Sequence, residues 1–127
     1  ALFVATKNNH QEVCKVLVDH GADVSAATQP YEDTPLLLAA ETGNLSLVHL
    51  LVNAGADVNQ ANSVGITPLQ VSCMSNHSEI AHYLIKRHAN ANARTSLNDT
   101  CLLWACENAN FPLVQALLTH GADPNAV

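Results

Sequence analysis

Short apolar runs recur along this chain in one phase, separated by polar punctuation: Val16-Leu17-Val18, Leu50-Leu51-Val52, Tyr83-Leu84-Ile85 and Ala116-Leu117-Leu118. Just after them come Gly21-Ala22-Asp23, Gly55-Ala56-Asp57, His88-Ala89-Asn90 and Gly121-Ala122-Asp123, at spacings of 34, 33 and 33 residues. Thr34-Pro35-Leu36, Thr67-Pro68-Leu69 and Thr100-Cys101-Leu102 keep the same period of 33. Three signals sharing one period over the whole chain define a repeat architecture. Each unit predicts two helices. A Thr hydroxyl can cap the first, with Pro presetting φ at its first position. That helix runs from Leu36 to about Thr42 and is broken by Gly43-Asn44. Asn44 can cap a second helix, about Leu45 to Ala54, with Leu47, Leu50 and Leu51 on one face. Gly55 falls where a left-handed residue ends a helix, and Ala56 to Ile66 reads as an extended turn. One such helix pair cannot bury its apolar face alone, whereas stacked pairs can.

The stretch from Thr34-Pro35-Leu36-Leu37-Leu38-Ala39-Ala40-Glu41-Thr42-Gly43-Asn44 to Leu50-Leu51-Val52-Asn53-Ala54-Gly55-Ala56-Asp57-Val58-Asn59 resembles the ankyrin repeat. The resemblance covers essentially the whole chain, as repeats of approximately 1–27, 28–61, 62–94 and 95–127. The additional residue of the 34-residue spacing is expected in the loop around Thr28-Gln29-Pro30-Tyr31. The resemblance implies an all-α solenoid of antiparallel helix pairs with β-hairpin-like loops at one side. It also implies a concave surface of loops and first helices that recognises another protein or peptide segment.

Departures concentrate in the third and fourth repeats. His88 replaces the helix-ending Gly, Asn90 the turn Asp, and Cys101 the Pro at the first helical position. Asn9, Asn76 and Ala109 stand where Gly43 does. Neither end resembles a polar cap, with Leu2-Phe3-Val4 at one and Asn125-Ala126-Val127 at the other. Further repeats or domains in a longer chain are therefore expected.

Composition narrows the function. Apolar residues make up 48% but aromatics only 4%, so the core is aliphatic. A net charge of −6 disfavours nucleic acid and anionic membrane surfaces, both of which need clustered cations. The longest apolar run, Leu36 to Ala40, is far too short for membrane insertion. The first residues do not pass from a basic into an apolar stretch as a signal peptide does. Cys14, Cys73, Cys101 and Cys106 lack the density of a disulfide scaffold, which points to reduced thiols in the cytoplasm or nucleus.

None of the candidate chemistry builds an enzyme, and no cofactor or metal is expected. Cys73 and His77, or Cys101 and Cys106, lack zinc-ligand spacing. Cys73 and Cys106 share the slot of Ala40, a small buried position, and Cys14 shares that of Val48 and Val114. His20, Ala54, Arg87 and His120 form a column at the end of the second helix, where a cation meets the last carbonyls. A periodic Asp (23, 57, 123) reads as a turn residue rather than a catalytic acid. Lys86, Arg87 and Arg94 form the one basic cluster. Asn59, Asn92 and Asn125 recur with Leu eight residues upstream and suit turn hydrogen bonds. The family resemblance adds that such asparagines serve as substrates of an asparaginyl hydroxylase. Asn59 is the expected target, because it alone follows an intact Ala56-Asp57-Val58.

In register, the outward positions that vary between repeats are Tyr31, Asp33, Glu41 and Thr42; Val64, Ile66, Met74 and Ser75; Arg94, Leu97, Asp99, Glu107 and Asn108. They mix apolar with charged residues, as a recognition surface does. The expected function is a non-catalytic protein-binding scaffold or adaptor; the alternative is a structural spacer. Exposure of Val64, Ile66, Met74 and Leu97 as one patch favours binding, and burial of all four favours the spacer.

Overall fold

The computed structural model describes residues 1–127 as eight helices and no strand. They are α1 (Leu2–Lys7), α2 (Gln11–Asp19), α3 (Pro35–Thr42), α4 (Leu45–Asn53), α5 (Pro68–Met74), α6 (Ser78–Lys86), α7 (Cys101–Glu107) and α8 (Phe111–Thr119). Consecutive helices pack as pairs. The first members form one row, α1 on α3 on α5 on α7, and the second members another, α2 on α4 on α6 on α8. An inner-row helix between two neighbours must be apolar on most sides, and Leu36, Leu37, Ala39 and Ala40 of α3 are all buried. Outer-row helices keep one polar side: α6 buries Ile80, Ala81, Leu84 and Ile85 while Glu79 faces water. A single core of 26 buried residues runs through all pairs, and each fully buried Leu in it contributes about 1.5–3 kcal/mol.

Most local signals act as their chemistry predicts. The Leu37 N–H donates to Thr34 Oγ1 at 3.1 Å, and the Gln70 N–H donates to Thr67 Oγ1 at 3.2 Å. The Leu47 N–H donates to Asn44 Oδ1 at 3.0 Å. Gly43 (φ 79°) is left-handed, as are Asn9 (60°), Asn76 (55°) and Ala109 (50°) in the same slot and His88 (66°) in the Gly55 slot. A Cβ on Gly43 would stand 2.8 Å from Cε1 of His77, whose Nε2 lies 3.0 Å from the Glu41 carbonyl oxygen. At the ends of α2 and α8, His20 Nδ1 and His120 Nδ1 lie 2.8 and 2.9 Å from the carbonyl oxygens of Val16 and Ala116.

Two expectations need correction. Cys106 does not share the burial of Ala40 and Cys73: it is exposed, because no helix packs on that side of α7. Thr100 does not cap α7. Its Oγ1 is buried without a partner, and its φ of −122° departs from the −92° and −94° of Thr34 and Thr67. Cys101 stands where Pro holds the other two turns, so nothing presets the backbone there.

Candidate functional site

Three loops project beside the inner row of helices, and each closes on itself. The Asp33 carbonyl accepts from the Thr28 N–H at 3.0 Å, Ile66 from Asn62 at 3.0 Å, and Asp99 from Thr95 at 3.1 Å. The first spans one residue more than the others, which puts the added residue of the 34-residue spacing between Thr28 and Asp33. Only this loop forms a β-bridge. Neighbouring loops are laced together. The Ser63 N–H donates to the Tyr31 carbonyl at 2.9 Å, the Ser96 N–H to the Val64 carbonyl at 3.1 Å, and Asn62 Nδ2 to Asp33 Oδ1 at 2.9 Å. Gln70, wholly buried, anchors the third loop by donating from Nε2 to the Ala93 carbonyl at 2.8 Å. The loop backbones are thereby held relative to one another, and their outward side chains form a fixed surface.

Two adjoining depressions lie between these loops and the inner helices. One, of about 330 Å³, is lined by Val64, Ile66, Met74, Leu97, Asp99 and Trp104, with Thr95 and Ser96. The other, of about 260 Å³, is lined by Tyr31, Asp33, Leu37, Glu41, Asn62 and Val71 together with the same Val64, Ile66 and Met74. Leu97 is 82% exposed, Tyr31 59%, Met74 43% and Val64 39%, and only Ile66 is partly buried. Apolar side chains of this size thus face water side by side instead of packing into the core.

Eight of the anticipated positions line these depressions: Tyr31, Asp33, Glu41, Val64, Ile66, Met74, Leu97 and Asp99. The other five do not. Thr42 donates to the Ala39 carbonyl (3.2 Å), Arg94 Nη1 to Asn98 (3.2 Å) and Asn108 Nδ2 to Cys73 (3.3 Å), while Ser75 and Glu107 are exposed outside the depressions. Trp104 was not anticipated. It stands in the column of Leu38 and Val71, so the signal was a bulky aromatic replacing an aliphatic residue on the inner row.

The periodic polar residues serve the turns. Asp57 and Asp123 accept the N–H of the residue two further on, and Asn90 does the same without a carboxylate. Asp23 accepts both the hydroxyl and the N–H of Ser25, and these hold its carboxyl below the ordinary carboxylate value. Asn59 Oδ1 accepts the Asn90 N–H (2.7 Å), and Asn92 Oδ1 accepts the Asp123 N–H (2.8 Å), so each Asn fastens its turn to the next. Asn92 makes a second such bond, from Nδ2 to the Gly121 carbonyl. Sequence spacing did not reveal that Cys101 contacts Cys73. Hydrogen bonding to Cys73, then burial, push the Cys101 thiol above its ordinary range.

The family profile "Ankyrin repeats (3 copies)" matches residues 1–62 and 36–127, and the chain belongs to the ankyrin repeat family. It is 40% identical over 68 residues to the human "Ankyrin repeat and SOCS box protein 6", covering 53% of this chain and 16% of that protein. It is 39% identical over 67 residues to the human "Ankyrin repeat and KH domain-containing protein 1", covering 52% of this chain and 3% of that protein. It is 40% identical over 67 residues to "Glycerophosphocholine phosphodiesterase gde1" of Schizosaccharomyces pombe, covering 53% of this chain and 6% of that protein. The chain thus aligns with a small part of each relative. Ankyrin repeats are in general protein-interaction modules without catalysis. No helix is long and apolar enough to cross a membrane.

Proposed function

We propose that this chain binds another protein, without catalysis, through the concave face made by its three loops and by α3, α5 and α7. The observation that carries this reading is the joined apolar patch of Tyr31, Val64 and Leu97, exposed on loops whose backbones are mutually hydrogen-bonded, and of Met74 at the end of α5 beside them. A spacer has no use for such a patch, which costs solubility. The test compares capture of proteins from cell lysate by the parent and by a Tyr31→Ala/Ile66→Ala/Met74→Ala/Leu97→Ala variant. A control carries Glu79→Ala and Gln115→Ala on the outer helices. The captured set should be lost only with the concave-face variant; equal capture by all three proteins moves binding off this face, and capture by none favours the spacer.

Three narrower readings accompany it. The faces of α7 and α8 that hold Cys106 and Leu118 correspond to positions buried at Ala40, Cys73, Val52 and Ile85, and this supports stacking of a further repeat there. Four unpaired thiols support a reducing compartment, cytoplasm or nucleus, and a net charge of −6 with one small basic cluster supports a partner other than nucleic acid. Asn59 is the preferred site for asparaginyl hydroxylation, since its side chain is held by one inter-repeat bond and that of Asn92 by two, while Asn125 follows Pro124, which fixes the local backbone differently. Incubation with an asparaginyl hydroxylase and peptide mapping checks this: gain of one oxygen atom at Asn92 and not at Asn59 would reverse the assignment.

A further inference from the structure

We propose that the two depressions take a single partner segment that presents two bulky apolar side chains flanked by Lys or Arg. This rests on the reading that the concave face binds a protein. The depressions are not separate sites, because Val64, Ile66 and Met74 line both and form the saddle between them. Trp104 walls the one beyond the saddle, and Tyr31 the other. An occupant that fills one depression therefore runs directly over Met74 into the next. One apolar side chain per depression, with backbone crossing the saddle, desolvates the patch as hot-spot anchors do.

Charge selects what flanks those anchors. The lining residues include three carboxylates, Asp33, Glu41 and Asp99, and no Lys, Arg or His. Asp33 is oriented by Asn62, whereas the carboxylates of Glu41 and Asp99 accept no hydrogen bond from the chain and are open to a cation. The nearest positive group in sequence, Arg94, is turned to the Asn98 carbonyl. With a net charge of −6 behind it, this rim repels acidic segments and phosphates and draws in basic ones. A small molecule fits less well. Such ligands bury most of their surface in an enclosed cleft, whereas Leu97 and Tyr31, on either side of the saddle, stand largely in water.

The test is selection from a random-peptide display library on the 127-residue chain, followed by fluorescence anisotropy of the winning peptides. Two variants, at the exposed Met74, Leu97 and Glu41 and the half-buried Asp99, separate the contributions: Met74→Ser/Leu97→Ser for the anchors and Glu41→Gln/Asp99→Asn for the rim. Winners should carry paired bulky apolar residues beside Lys or Arg. The anchor variant should weaken them by about tenfold or more. The rim variant should weaken them by a few-fold, and high salt should abolish that difference. Circular dichroism confirms that both variants fold. Winners that need Met74 and Leu97 but carry acidic flanks, or that ignore the rim variant, overturn the partner chemistry and leave the protein-binding reading standing. Winners indifferent to both variants overturn the assignment to this face. No winners at all overturns both.

Discussion

The second and fourth helix pairs have the same architecture but differ in how well local chemistry supports it. In α3 and α4, Thr34 caps, Pro35 presets the turn, Gly43 takes the left-handed position at no steric cost, and Asn44 caps again. In α7 and α8, the Thr100 hydroxyl is buried without a partner, Cys101 replaces Pro, and Ala109 carries the left-handed strain; only Asn110 still caps, accepting the Leu113 N–H at 3.3 Å. Helices of seven to nine residues would not persist alone in water. The fourth pair holds its shape because Leu102, Ala105, Leu113 and Leu117 pack on the third. Tertiary burial therefore tolerates local defects, provided that one face of the pair is covered.

The sharpest way to break this comparison is to charge one column at both places. Ala40→Glu buries an unpaired carboxylate between two inner helices and should cost about 4 kcal/mol or more. Cys106→Glu, in the same column but facing water, should change stability by no more than about 0.5 kcal/mol. Urea unfolding followed by circular dichroism measures both, and equal costs would mean that the α7 face is covered in solution.

Next in size is the left-handed slot. Gly43→Ala adds left-handed strain and a Cβ 2.8 Å from His77, and should destabilise by about 1–2 kcal/mol. Ala109→Gly should do the reverse, stabilising by several tenths to about 1 kcal/mol, and His88→Gly by a similar amount. A lower unfolding midpoint for His88→Gly at equal slope would mean that His88 makes a contact worth more than its strain.

The caps give a smaller contrast. Thr34→Val loses a cap bond and should cost about 1 kcal/mol. Thr100→Val removes a buried hydroxyl that bonds to nothing, so it should be neutral or slightly stabilising. A cost at Thr100 equal to that at Thr34 would show that its hydroxyl finds a partner in solution.

The smallest effect concerns Asp23. Its folded carboxyl titrates below the ordinary carboxylate value because Ser25 donates twice. Its contribution to stability is thus complete above that ordinary value and is lost as pH falls through the folded one. Ser25→Ala should move the Asp23 titration, followed by NMR, back toward ordinary. An unchanged titration would assign the shift to something other than the serine hydroxyl.

Much of this was legible before any coordinates, because each signal acts locally. Thr34-Pro35 and Thr67-Pro68 announce helix starts through a hydroxyl and a fixed φ, and Gly43 and Gly55 announce helix ends through permitted left-handed φ. Neither device needs a distant partner. The candidate surface was legible only in part: eight of thirteen positions line the depressions, since register says which residues point outward but not which of them meet. Trp104 went unrecognised because its column reads as core at Leu38 and Val71.

The 33-residue period and the apolar patterning thus determined the class of fold, the helix pairs and their handedness of termination from sequence alone, through backbone sterics and the need to bury aliphatic faces. Tertiary structure decided the rest. Whether Cys106 is buried like Cys73 depends on what packs against α7, whether Thr100 bonds depends on a backbone set by its neighbours, and whether Cys101 meets Cys73 depends on how two repeats stack. The joined depression over Met74 exists because three loops are laced side by side, a juxtaposition of residues far apart in sequence that no local pattern encodes.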